Sequence, residues 1–364
     1  MSLVLNGTTG ITNLPSINSG QIGGSRNKVI NGAMVIDQRN AGASVTPAST
    51  PTYTIDRWNF QYTANSKFST QRSTTVPSGF TNSMLVTSLS AYSVGSGDIF
   101  LVQQSIEGFN IADLAWGTAS AATVTLSLWV RSSLTGTFGG ALLNGAQNRS
   151  YPFTYAISSA NTWEKKSITI AGDTTGTWAT DNSSGIRVTF GLGGGATYSG
   201  TAGEWVAAAK YTATSAVSVV GTNAATWHVT GVQLEKGSTA TDFEYRGIGE
   251  ELALCQRYCT KIAPTTTGAG VGTGFARTTT TMYAARDLPV HMRTTPTLAF
   301  SSATDFQIQY LGSVITTTAM AASELSADTI AFQATVGSAA LTAGQGMYLR
   351  DLNGGATIIA SAEL

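Results

Sequence analysis

Charge is the scarcest property of this chain. Only 11% of its 364 residues are Asp, Glu, Lys or Arg, against about 25% in an average soluble protein. The formal net charge is zero, so there is no basic footprint for nucleic acid and no polybasic patch for an anionic membrane. Cysteine is limited to Cys255 and Cys259, which excludes a disulfide framework and is compatible with synthesis in a cytoplasm. The two histidines, His228 and His291, belong to no nucleophile motif and are read as structural. A run of about 20 apolar residues is missing, so no membrane-spanning helix is expected. Met1–Leu5 is apolar but short and has no basic flank, so it is not read as a signal peptide.

What fills the space is Thr, Ser, Ala and 40 Gly, together with 7 Trp, 13 Phe and 12 Tyr. The aromatic residues exclude a disordered chain. Thr and aromatics favour strands, and Gly favours turns. At roughly 100–200 residues per domain, the length allows two or three.

Period-2 patterns confirm the preference. In Thr123–Arg131 the residues Val124, Leu126, Leu128 and Val130 share one face, and Trp129 lies on the other. Trp58, Phe60 and Tyr62 share a face, as do Val188, Phe190 and Leu192. Across Trp227–Glu235 the apolar parity switches at Gly231, which predicts a bulge there. Turn signals such as Asn144-Gly145 separate the runs. The expected fold is all-β. An N-terminal arm over residues 1–26 is followed by a jelly-roll-like β-sandwich over 27–248, a linker helix over 249–262 and a smaller β-sandwich over 263–364. In the helix, Leu252, Cys255 and Cys259 fall on one face, and Glu250 and Glu251 occupy the first turn. The arm carries Leu3, Leu5, Ile11, Leu14 and Ile22 between Gly, Asn and Thr, and is too short to form a core alone.

Residues that could carry chemistry are few. Cys255 and Cys259 lack the four-ligand clustering of a zinc site and are read as buried thiols. Glu107, Glu164, Glu204 and Glu235 are scattered without a motif, and only proximity in space would make any pair of them hydrolytic. The glycine clusters Gly191–Gly195 and Gly268–Gly272 lack the strand–loop–helix context and Lys-Ser/Thr ending of a phosphate loop, so both are read as ordinary loops. The sequons at Asn6, Asn148 and Asn182 are chance matches in so Ser/Thr-rich a chain. No catalytic residue, metal site or cofactor is expected. Trp129, Trp163, Trp178, Tyr198 and Trp205 are the candidate glycan contacts, because exposed aromatic rings stack on sugars; burial against a loop or a second subunit is the competing reading.

One stretch is more specific. Gly231-Val-Gln-Leu-Glu-Lys-Gly-Ser-Thr-Ala-Thr-Asp-Phe-Glu-Tyr-Arg246, followed by Glu251-Leu-Ala-Leu-Cys-Gln-Arg-Tyr258, resembles a signature of bacteriophage tail-fibre and related virion proteins. Asn27–Met34, Asp37-Gln-Arg39 and Asp56-Arg-Trp58 resemble the opening of the same domain, and Leu288–Thr297 the start of the domain that often follows. The resemblance covers roughly residues 27–300 and departs at Cys259, where a second aromatic is expected. It implies a sandwich similar to carbohydrate-binding modules, a homotrimer, no catalytic residues, and a place in the virion tail of a protein made in the host cytoplasm. Gln233, Glu235, Phe243, Glu244, Arg246 and Arg257 form its structural signature. Arg246 and Arg257 are expected to pair with Glu235 or Glu244, and Phe243 to anchor a loop across the sandwich. The expected partners are two further copies of the chain, tail or adaptor proteins through residues 1–26, and a host-surface glycan. Nucleic acid and membrane insertion are not expected. A purely architectural virion protein is the alternative, and a polysaccharide depolymerase the third reading.

Overall fold

The computed structural model describes residues 25–364 and the strand pair Ser16–Ile17 and Gly20–Gln21. The rest of the expected arm lies outside the described residues. The chain divides at Gly247/Ile248 into two compact units. The architecture is all-β.

In the first unit two sheets face each other. The six-stranded sheet runs in the order Ser150–Ile157, Gly136–Asn144, Ser184–Gly194, Ile99–Glu107, Asn59–Tyr62, Thr52–Tyr53. The five-stranded sheet runs Glu164–Ile170, Val124–Ser132, Thr226–Lys236, Ser83–Ser88, Phe68–Ser73. The core lies between them and is built from the alternating residues the sequence singles out. Phe60, Val102, Val188 and Phe190 come from one sheet, and Val86, Leu126, Leu128, Val229 and Leu234 from the other. Each such side chain contributes about 1.5–3 kcal/mol by leaving water. Ile99–Glu107 is buried along its whole length, so its outward residues are covered as well as its inward ones.

The predicted bulge is present. Pairing of Thr226–Lys236 with Val124–Ser132 shifts register between Thr230 and Gln233, and Gly231 has φ +60°. A Cβ there would stand 2.6 Å from the Phe80 ring, so both backbone and packing require glycine.

The second unit departs from the expected sandwich. Six strands close into a barrel in the order Gly270–Ala276, Thr281–Asp287, Thr329–Val336, Ser313–Leu325, Phe306–Tyr310, Gly346–Asp351. Phe306, Ile308, Phe332 and Leu349 fill its core. Register shifts at Gly270/Gly272, Thr317/Ala319 and Ala322/Leu325 supply the curvature that closure needs. Cys259–Ile262, Ile358–Ser361 and Thr297–Phe300 form a separate three-stranded sheet.

Two local expectations are corrected. The helix spans Ile248–Gln256 and belongs to the second unit; Cys259 lies in the next strand, where Thr260 and Ile262 favour extended backbone. Most of each glycine cluster is strand: Gly191–Gly194 ends Ser184–Gly194, and Gly270 opens Gly270–Ala276. Close approach explains both, since a Cβ at Gly191 would meet the Thr212 hydroxyl at 2.5 Å and one at Gly270 the Tyr348 hydroxyl at 2.1 Å.

Candidate functional site

The five candidate ring residues fall in four separate places. Trp178 and Trp205 join Trp116 in an edge-to-face cluster, with centroids 4.7–5.4 Å apart, and Tyr151 packs on Trp205 at 5.2 Å. Each indole N–H of the cluster donates to a loop carbonyl: Trp116 to Ala122, Trp178 to Thr175 and Trp205 to Ala171. Trp178 is buried, which corrects the expectation of an exposed ring. The cluster ties three loops to the sandwich, with Arg149 and Asp173 paired at 2.7 Å beside it. Trp163 lies edge-on to His228 at 5.8 Å. His228 is held between Arg131 Nη1 at 3.2 Å and Ser83 Oγ at 3.5 Å. Burial, reinforced by the Arg131 charge, pulls its pKa down to about 4.

Trp129 is half-buried on the outward side of the five-stranded sheet, close to Gly231 and Phe80. Phe80 packs with Phe243 at 5.3 Å and Tyr245 at 5.4 Å, so Phe243 does anchor the returning loop. The rest of the signature holds that loop down. Gln233 Nε2 donates to Glu235 Oε1 and to Thr241 Oγ1, and Gln233 Oε1 accepts from the Glu244 amide at 2.8 Å. Glu235 accepts from the Thr241 amide and hydroxyl. The arginine expected at Glu235 is replaced by this loop. Glu244 takes the Arg26 and Asn27 amides and lies 3.7 Å from Arg246, which itself donates to the Val29 and Asn27 carbonyls. Arg257 belongs to the second unit. These residues close the sandwich and leave no polar group of Gln233 or Glu235 for a ligand.

The outward face of the six-stranded sheet is different. Strand register aligns Tyr53 with Asn59, Asn59 with Gln103, and Gln103 with Thr189; one row along, Ser105 faces Arg187. Directly opposed residues share a face, so these side chains form one floor. Asn59, Gln103 and Ser105 are at most 2% exposed. Even so, Asn59 Oδ1, Gln103 Oε1, Ser105 Oγ and Arg187 Nε are buried without a hydrogen-bond partner. Each such group costs about 1–3 kcal/mol. The neighbouring Gln104, turned inward, is fully used: it accepts from the Ile30 amide at 2.8 Å and donates to the Ile30 carbonyl at 2.7 Å. Aromatic rings flank the floor. Tyr53 carries Arg39 over its ring at 5.2 Å. Tyr211 bonds Gln147 at 2.6 Å and meets Tyr198 edge-on at 5.6 Å. Burial lowers the pKa of Arg187, which lies within electrostatic reach of Tyr211 and Tyr53. Of the sequence candidates, only Tyr198 adjoins this floor. Sequence reasoning missed Asn59, Gln103, Ser105 and Arg187, whose one visible signal was polar residues alternating with core residues in otherwise buried strands.

The scattered carboxylates have separate surroundings. Glu107 and Glu235 are buried. Glu164 is bonded to Lys166 at 2.6 Å, and that bond holds its carboxyl below the usual range. Glu204 is exposed. His291 bonds Asp328 at 2.7 Å on the surface of the second unit. Among the described residues, no group of three or more His, Cys, Asp or Glu could hold a metal ion, and no helix is long and apolar enough to cross a membrane.

No family model and no curated protein matches the chain. Solved structures similar to it include the enzymatically active domain of bacteriophage CBA120 tailspike protein 4, at 12% identity and TM-score 0.33, covering 58% of this chain and 21% of that one. The TmCBM61 module in complex with β-1,4-galactotriose is 9% identical at TM-score 0.30, covering 58% and 99%. The family 11 carbohydrate-binding module of Clostridium thermocellum, in complex with a mixed-linked tetrasaccharide, is 12% identical at TM-score 0.28, covering 55% and 100%. The chain thus spans about a fifth of the tailspike domain it matches, and at these TM-scores the likenesses establish neither family nor function.

Proposed function

We propose that this chain is a bacteriophage virion protein of the tail-fibre kind, and that it binds a host-surface glycan on the outward face of its six-stranded sheet. The observation that carries the glycan reading is the partly exposed rings of Tyr53, Tyr198 and Tyr211 around the half-buried Arg187 on that face. The hydroxyls of a sugar both donate and accept, so they suit a guanidinium set among tyrosine hydroxyls. The flanking Tyr53, Tyr198 and Tyr211 supply rings for its apolar faces. The virion reading rests on the resemblance of Gly231–Arg246 and of Asn27–Met34, segments that bond to one another here: Asn27 Nδ2 donates to the Val232 carbonyl, and Asn27 Oδ1 accepts from Leu234.

The protein acts in this reading by binding rather than by cleavage. It assembles as a homotrimer that joins a tail or adaptor protein through residues 1–26, so that three weak sites gain avidity together. A glycan array with the full chain tests the binding: hits that disappear in Tyr198→Ala, with the fold retained, are expected. A blank array for folded protein would leave a purely architectural virion role. Light scattering tests the assembly, and a stable monomer at micromolar concentration would defeat the trimer.

A further inference from the structure

We propose that Asn353 is a site of spontaneous covalent modification: its side chain cyclises onto the Gly354 amide, and the ring opens to aspartate or isoaspartate. Three Asn-Gly pairs lie among the described residues, at Asn31-Gly32, Asn144-Gly145 and Asn353-Gly354. Glycine favours the reaction because it has no Cβ to crowd the attacking nitrogen. The fold disables the first two pairs. Asn31 and Asn144 are fully buried. Asn31 Nδ2 donates to the Ile36 and Asp56 carbonyls, and its Oδ1 accepts from the Ile36 amide. Asn144 Oδ1 accepts from the Asn148 and Arg149 amides, and its Nδ2 donates to Asn148 Oδ1 and the Thr177 carbonyl. Other backbone stands against each glycine: a Cβ on Gly32 would lie 2.1 Å from the Val232 carbonyl oxygen, and one on Gly145 1.9 Å from that of Ser184. Neither peptide has room to turn its nitrogen toward the side chain.

Asn353 is the opposite case. It is exposed in the turn between Gly346–Asp351 and Ile358–Ser361. Gly354 has φ +86°, and the nearest atom to a Cβ built on it is 3.6 Å away. Asn353 Oδ1 accepts from the Gly355 amide at 3.0 Å, which folds the carboxamide back along its own backbone and polarises its carbonyl carbon toward attack. Its Nδ2 donates to Asp305 Oδ1 at 3.2 Å. The Gly354 N–H donates to Asp351 Oδ2 at 2.5 Å, so a carboxylate already draws on the proton that attack must release. In the reaction the Gly354 nitrogen bonds to Asn353 Cγ and the Cγ–Nδ2 bond breaks. The amide proton ends on the departing nitrogen, which leaves as ammonia. Water then adds to either carbonyl of the five-membered imide and opens it. With aspartate as product, a carboxylate stands where Nδ2 met Asp305, and a hydrogen bond becomes a like-charge contact.

The test incubates the folded full chain in warm, mildly alkaline buffer made with heavy-oxygen water and follows each Asn-Gly peptide by mass spectrometry. The heavy label marks only conversions that occur during the incubation. Asn353 is expected to convert at least tenfold faster than Asn31 and Asn144, and to give isoaspartate, the mark of the cyclic route, beside aspartate. In chain unfolded by guanidinium the three rates should come within a few fold of one another, so that the difference belongs to the fold. Asn353→Gln, at an exposed position, should abolish the acidic species that accumulates on isoelectric focusing. Folded protein in which Asn353 stays as intact as Asn31 and Asn144, while unfolded chain converts all three, would overturn the proposal. Aspartate without isoaspartate at Asn353 would overturn it as well.

Discussion

The outward faces of the two sheets treat the same kind of residue in opposite ways. On the five-stranded sheet, Gln233 and Glu235 are fully buried, and their polar atoms are used in holding the loop through Thr241 and Glu244. On the six-stranded sheet, Gln103 and Asn59 are equally buried, and their carbonyl oxygens bond to nothing. The first arrangement is how a protein normally buries polarity. The second leaves a cost of about 1–3 kcal/mol per group inside the fold. The pair teaches that burial of a polar residue is not informative until its hydrogen bonds are counted.

Substitutions at matched positions sharpen the contrast. Gln233→Met strips the partner from Glu235 and from the Glu244 amide and should cost about 3 kcal/mol in urea unfolding. A loss below about 1 kcal/mol would erase the distinction between the faces. Acid should act through the five-stranded side. The folded pKa of His228 is held by burial and by Arg131 at about 4, below its ordinary 6.5, so the native state binds fewer protons than the unfolded chain between these values. The contribution of neutral His228 is intact above about pH 6.5 and is lost as pH falls through 4. It amounts to on the order of 3 kcal/mol. Urea titrations at pH 7 and pH 4.5 should show a larger acid loss for the wild type than for His228→Gln. Trp205→Ala opens the edge of the three-tryptophan cluster and removes the bond to Ala171; about 2 kcal/mol of stability should go in urea unfolding. The smallest effect is the most telling. Gln103→Met removes a buried amide whose Oε1 has no internal partner, so stability should change by less than about 0.5 kcal/mol or rise.

The parts of the fold visible in the sequence are those governed by local pattern. The parity switch at Gly231 locates the bulge because a strand's side-chain period of two makes any inserted residue show. Leu126 and Leu128, like Val188 and Phe190, declare their inward faces in the same way. Cys259 misled because helical spacing from Leu252 coincides with the start of a strand. The strand Gly270–Ala276, with glycines at alternate positions, reads as a loop because close packing removes the side chains that mark strands. The polar floor was illegible for a deeper reason. Asn59, Gln103 and Arg187 meet only through strand register, which no short-range pattern encodes. Tryptophans drew notice instead, and three of the unit's tryptophans form an internal cluster.

The bonds that join Asn27 to Val232, Leu234 and Glu244 also set a clock on synthesis. These partners are 205 to 217 residues apart, so the first unit cannot close while its far end is still in the ribosome. At a synthesis rate of about 5–20 residues per second, roughly 10–40 s separate the two ends. During that wait the apolar faces of both sheets are made but unsealed, which is the state most open to aggregation. A low charge content, 11% of residues, gives the nascent chain little electrostatic protection against it. Productive folding of this unit should therefore depend on chaperone occupancy and temperature during translation more than on the stability of the finished sandwich.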